Sequence, residues 1–84
     1  MLVTREMDYA MRVVRALDSL DGLATAAGVA EREQMPQAVT LKILKRLTTA
    51  GIVESRRGPA GGYRLRRSPE ALTLYDLFRV FGRE

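Results

Sequence analysis

Eight side chains between Thr40 and Arg67 carry positive charge: Lys42, Lys45, Arg46, Arg56, Arg57, Arg64, Arg66 and Arg67, against the lone carboxylate of Glu54. The rest of the chain is net acidic, so the overall charge of +4 conceals one strongly cationic third. Guanidinium and ammonium groups at this density suit a polyanion, most often nucleic acid, because each neutralised phosphate releases condensed counterions. A solvated basic surface with no partner would look the same by charge alone. The elements that position these groups therefore have to decide.

Other chemistries have little to stand on. The 84 residues contain no cysteine and no histidine, which removes thiolate nucleophiles, disulfides, the usual zinc ligands and the usual proton shuttle near neutral pH. Gly58-Pro59-Ala60-Gly61-Gly62 is glycine-rich, but Tyr63-Arg64 follows it where a phosphate loop has Lys-Ser/Thr opening a helix. The ten carboxylates mostly decorate helix surfaces, and no segment holding a pair of them is also concave and apolar. No catalytic residue, metal ligand or cofactor site is expected. Of the five aromatic residues, Tyr63, Phe78 and Phe81 are wanted by the core, which leaves no stacking platform for single strands and favours duplex DNA over RNA. No stretch approaches the roughly 18–20 apolar residues that span a bilayer, so the expectation is a soluble, cytoplasmic protein. One domain over residues 1–84 fits the usual range of about 100–150 residues better than two.

Periodicity and punctuation set out the elements. Thr4 can cap a first helix in which Met7, Ala10, Met11, Val14 and Leu17 recur at helical spacing until Asp21-Gly22, with Arg5, Asp8, Arg12, Arg15 and Asp18 on the wet side. Thr25 caps a short second helix over Ala26 to Glu33, whose buried side falls to Ala27, Ala30 and Val29, and Gln34-Met35 makes a turn. Pro36 suits the first position of a third helix running to Ala50, and Gly51 is the residue expected just past its end. At 100° per residue, Val39, Thr40, Ile43, Leu44, Leu47 and Ala50 face the core. Gln37, Ala38, Leu41, Lys42, Lys45 and Thr49 face outward, with Arg46 on the boundary. Ile52 to Arg57 and Tyr63 to Arg66 read as two strands around a glycine-rich tip; Tyr63 and Leu65 point inward, Arg64 and Arg66 outward. Ser68-Pro69 ends the hairpin. Thr73 then caps a last helix carrying Leu74, Leu77, Phe78 and Phe81 on its apolar side.

The predicted fold is mainly α with a small β-hairpin: a winged helix-turn-helix with a three-helix core, a two-stranded wing and a further C-terminal helix. A helix like the third fits the roughly 12 Å wide major groove, where lysine, arginine and glutamine reach base edges and an apolar side chain such as Leu41 touches a thymine methyl. Arginines on a slim tip suit the negative potential of a narrow minor groove. Gly61 and its neighbours serve the tip by permitting unusual backbone geometry.

Asp8-Tyr9-Ala10-Met11-Arg12, Ala50-Gly51-Ile52-Val53, Arg57-Gly58-Pro59-Ala60-Gly61-Gly62-Tyr63-Arg64-Leu65 and Leu72-Thr73-Leu74-Tyr75-Asp76-Leu77 together resemble the Rrf2 family. This is the bacterial family of winged helix-turn-helix transcription regulators with IscR-like, CymR-like and NsrR-like members. The resemblance covers nearly the whole chain. It implies a DNA-binding regulator, expected here as a repressor, that acts as a homodimer on a palindromic operator with helix three in the major groove and the wing in the minor groove. Many relatives hold an iron-sulfur cluster through three cysteines beyond the last helix seen here, some with an acid at the place of Asp8; this chain has no cysteine. Relatives also continue into a long dimerisation helix, so the chain is either a DNA-binding domain cut short or pairs by another surface. The family often has an aromatic-Leu-polar run where Val39-Thr40-Leu41 stands. Either Leu41 contacts thymine methyls or part of helix three is rotated.

The expected interface comprises Gln37, Leu41, Lys42 and Lys45 at the bases, Arg46 on phosphate, and Arg57 and Arg64 in the wing over 56–66, whose tip Gly61 shapes, with Arg56, Arg66 and Arg67 as supporting charge. The alternative is a winged-helix protein-interaction module with little DNA binding, using the apolar surface left by an exposed Leu41 and by a last helix without its dimer arm. A small enzyme is a more distant rival, needing a deep acid-lined cavity.

Overall fold

The computed structural model describes residues 4–20, 22–66 and 74–82. Along the chain run α1 (Arg5–Ser19), α2 (Ala26–Glu33), α3 (Gln37–Thr49), β1 (Val53–Arg56), β2 (Gly62–Leu65) and α4 (Leu74–Phe81), the order expected for a three-helix core, a hairpin and a further helix. Asp21, Arg67, Ser68-Pro69, the Thr73 cap and the side chain of Leu74 lie outside the described residues.

Local chemistry sets the helix ends. The Thr4 hydroxyl accepts from the Met7 N–H at 3.1 Å and the Thr25 hydroxyl from the Gly28 N–H at 3.0 Å. Each cap is worth about 1 kcal/mol, which in α2 offsets the similar cost of placing glycine in a helix. Gln34 closes α2 in the left-handed region at φ 53°, and the Met35 N–H reaches the Ala30 carbonyl at 2.9 Å. The same six-to-one bond closes α3, from the Ile52 N–H to the Leu47 carbonyl at 3.0 Å, with Gly51 at φ 79°; glycine takes that conformation without strain. Pro36, expected as the first helical residue, sits one place earlier as the N-cap.

Packing departs from the expected stripes in three places. α1 buries Met7, Ala10, Val13, Ala16 and Leu17, while Met11 is 45% exposed and Val14 half-buried. The stripe is wider and rotated because α1 packs against α2, α3, α4 and β2 together. In α2, Val29 and Ala30 are buried and Ala27 is exposed. In α3, Thr40, Ile43, Leu44 and Leu47 are buried, Val39 is half-buried and Ala50 is exposed at the cap. Thr40 sits in the core with its hydroxyl donating to the Pro36 carbonyl at 3.0 Å, so its polar group is satisfied. α3 therefore holds a threonine inward, as its periodicity predicts.

The hairpin pairs β1 and β2 antiparallel, from Val53 opposite Leu65 to Arg56 opposite Gly62. Period two puts Tyr63 and Leu65 against the core and leaves Arg64 and Arg66 exposed, as expected. A third segment joins at Ala24, whose N–H and carbonyl both bond Tyr63, at 2.9 and 2.7 Å. This ties the wing to the α1–α2 connection. It also explains Gly62: a Cβ there would lie 2.7 Å from the Ala24 carbonyl oxygen, closer than real Cβ contacts come.

Candidate nucleic-acid interface

The exposed surface of α3 divides into two sides. On one, Lys42 and Arg46 turn toward α1, where Glu6 meets Lys42 Nζ at 3.9 Å and Arg46 Nη1 at 3.0 Å. Arg46 is held further by a bond from Nη2 to the Val80 carbonyl and by stacking of its guanidinium 4.5 Å from the centre of the Phe81 ring. The Phe81 carbonyl in turn accepts from the Thr4 hydroxyl at 2.9 Å. The start of α1, the middle of α3 and the end of α4 are joined at this one point. Arg46, expected as a phosphate anchor, thus has internal partners at both ends of its guanidinium and braces these three helices, with its side chain still 40% exposed.

On the other side, α3 faces the wing across a cleft of about 600 Å³. Lys45, Thr48 and Thr49 form one wall, Ser55, Arg56, Arg57, Gly58, Gly61, Gly62 and Tyr63 the other, and Thr25 and Ala26 at the start of α2 the end. Of the expected residues, the fold gathers Lys45, Arg56, Arg57 and Gly61 here. Lys45 and Arg57 are exposed and have no ion-pair partner among the described residues. Gly61 is demanded by the tip itself, since a Cβ there would lie 2.2 Å from the Arg56 carbonyl oxygen, and its N–H closes the turn onto the Gly58 carbonyl at 2.9 Å.

The remaining expected residues lie apart from the cleft. Gln37 is exposed and Leu41 half-buried on earlier turns of α3. Arg66 is exposed just past β2, its N–H bonded to the Ile52 carbonyl at 2.9 Å. Arg64 meets Glu54 across the strand pair, Nε to Oε1 at 3.1 Å, and Arg56 Nε lies 3.4 Å from Oε2 of the same carboxylate. The hydrogen bond from Arg64, with the charges of both arginines, holds the Glu54 carboxyl below its ordinary range. Sequence reasoning passed over Thr48 and Ser55 as cleft-lining hydroxyls and took Thr25 only as a cap. Its i to i+4 relation to Lys45 offers a signal for Thr49, but the distance between α2 and the wing offers none for Thr25.

These elements make a winged helix-turn-helix: two helices at a tight turn, with a hairpin wing standing beside the second. The Rrf2 family, described as an iron-dependent transcriptional regulator, matches residues 3–84, and the chain belongs to it. A helix-turn-helix-type transcriptional regulator of Aquifex aeolicus is 31% identical over 62 residues, covering 74% of this chain and 43% of that protein. The regulator IscR of Photobacterium profundum is 44% identical over 50 residues, 60% of this chain and 29% of its own. Among solved structures, IscR of T. potens superposes with a TM-score of 0.86 at 28% identity, covering 96% of this chain and 61% of that one. The chain spans about half the length, or less, of the relatives named by sequence. By name these relatives are regulators of transcription, not enzymes.

Iron in the family's description has no donor set here. With no thiol and no imidazole in the 84 residues, and no group of three acidic side chains together among the described residues, this chain does not fit an iron or iron-sulfur centre. Among the described residues no helix is long and apolar enough to cross a membrane.

Proposed function

We propose that this chain is the DNA-reading part of a transcriptional regulator, acting as a repressor and binding double-stranded DNA with α3 in the major groove and the hairpin in the adjacent minor groove. The observation that carries the reading is the cleft between α3 and the wing, where Lys45 and Arg57 stand on facing walls without ionic partners among the described residues. A phosphate backbone passing between a groove-bound helix and a wing would run along such a cleft, and free cations there give up no intramolecular pair to meet it.

Roles follow from position. Gln37, Leu41 and Lys45 lie at four-residue spacing on one side of α3, the arrangement that puts successive side chains along a groove floor. Lys42 reaches a base edge or phosphate only by leaving Glu6, a loose pair at 3.9 Å of the kind worth about 0–1 kcal/mol. Arg57 enters the minor groove from a tip that Gly61 keeps thin, while Arg56, Arg64 and Arg66 flank it with charge. A homodimer on an inverted repeat accords with the family and supplies the second half-site.

Selection of bound duplexes from a random library tests the reading. Enrichment of an inverted repeat is the expected result; recovery of unrelated sequences with salt-insensitive binding would overturn it. For the protein-interaction reading, Leu41 is half-buried, while Tyr75 on α4 and Met11 on α1 stay exposed; weak, salt-insensitive duplex association would favour that reading instead.

A further inference from the structure

Within the cationic third of the chain a single carboxylate stands among eight basic groups, and the fold puts it on the wing. Glu54 lies directly opposite Arg64 in the strand register, and its two oxygens are shared between Arg64 and Arg56 at 3.1 and 3.4 Å. Arg57, the next residue after Arg56, has no such partner among the described residues. Among the described residues the wing thus presents an unneutralised guanidinium at its tip, Arg57, another just past β2, Arg66, and two that share a negative charge on its strands.

This matters because the two halves of DNA affinity scale differently. Sequence-independent binding follows the number of phosphates neutralised, whereas discrimination follows contacts that fit one site. An acid beside two arginines lowers the first and leaves the fitted contact of the neighbouring arginine in place. The pairs are solvent-exposed and individually weak, so their stabilisation of the hairpin is small. What persists on any duplex is the carboxylate itself, repelling phosphates that approach the strand face of the wing.

We infer that Glu54 is a specificity-determining residue, which suppresses indiscriminate duplex binding by offsetting Arg56 and Arg64, so that the strand face of the wing grips DNA less than the tip where Arg57 fits. The inference rests on the DNA-reading function proposed above. It assigns a role in recognition to a residue of the opposite charge to the ligand's usual contacts.

The test compares the wild-type chain with Glu54→Gln and Glu54→Asp, titrated against a library-selected duplex and a scrambled one at several salt concentrations. For Glu54→Gln the scrambled duplex should bind roughly three- to tenfold tighter at low salt, with log K falling against log salt more steeply by about one unit. The selected duplex should gain less, so the ratio between the two falls. Glu54→Asp keeps the charge and should keep the wild-type slope. Far-ultraviolet circular dichroism and melting of each variant confirm the fold. Weaker or unchanged scrambled-duplex binding in Glu54→Gln, or an equal gain on both duplexes, would overturn the inference. Were the wild-type chain to bind neither duplex, the DNA-reading function itself would fail, an outcome distinct from these.

Discussion

At the scale of single residues, the chain's chemistry is that of fixed charges. Histidine and cysteine, whose titration most often falls near neutrality, are both absent from the 84 residues, so the cationic surface holds its charge across the ordinary working range. Glu54 titrates below the usual carboxylate range because Arg64 hydrogen-bonds its charged form and both wing arginines attract it. A depressed carboxyl contributes stability that is complete above its unfolded value and is lost as pH falls through its folded one. Duplex affinity should therefore be flat between about pH 6 and pH 8, and amide protection in the hairpin should decline only in acid, below the ordinary carboxylate range. Anisotropy titrations over that neutral span, with hydrogen exchange at lower pH, check both halves. A steep change in affinity near neutrality would point to a titrating group this account lacks.

Elements owe their ends to local rules and their positions to distant ones, and that divides what the sequence made legible. Thr4, Thr25 and Gly51 mark helix ends because capping is settled within a turn of chain, and the glycine-rich tip followed by Tyr63-Arg64-Leu65 marks the hairpin because period two needs no distant partner. The Ala24–Tyr63 bridge was not legible, since Ala24 carries no strand signal of its own and pairs across a separation of nearly forty residues. The rotation of the α1 stripe was hidden for a related reason: a helix packed by four elements buries a wider arc than its strongest hydrophobic residues trace. Arg46 is the most consequential case. Its type and place on α3 suggested phosphate, while Glu6, Val80 and Phe81, which hold it, are remote in sequence. If it braces α1, α3 and α4, Arg46→Met should lower stability by about 1 kcal/mol, discounted for partial exposure. That corresponds to roughly 4–8 °C in Tm for a domain of this size. The salt slope of duplex binding should stay unchanged. A flattened slope with an unaltered Tm would instead return Arg46 to the phosphate contacts.

For the molecule as a whole, the net charge says less than its distribution. α1 and α2 supply five of the ten acids, and three of these, Glu6, Asp8 and Glu33, are paired with Arg46, Arg12 and Arg15, so several basic groups away from the wing are offset. The cleft between α3 and the hairpin keeps its free cations because the core fixes both walls: Ile43, Leu44 and Leu47 seat α3, and Ile52 and Val53 seat the base of the wing. Membership of the Rrf2 family fits this architecture. The iron in that family's description does not fit the residues present, so regulation through an iron centre is not something this stretch of chain performs by itself. The most direct test of the central claim is the salt dependence of duplex binding for wild type against the Lys45→Ala/Arg57→Ala double variant, with folding confirmed for both. The double variant should show a slope flatter by about two units and weaker binding. A slope and affinity equal to wild type would contradict the claim.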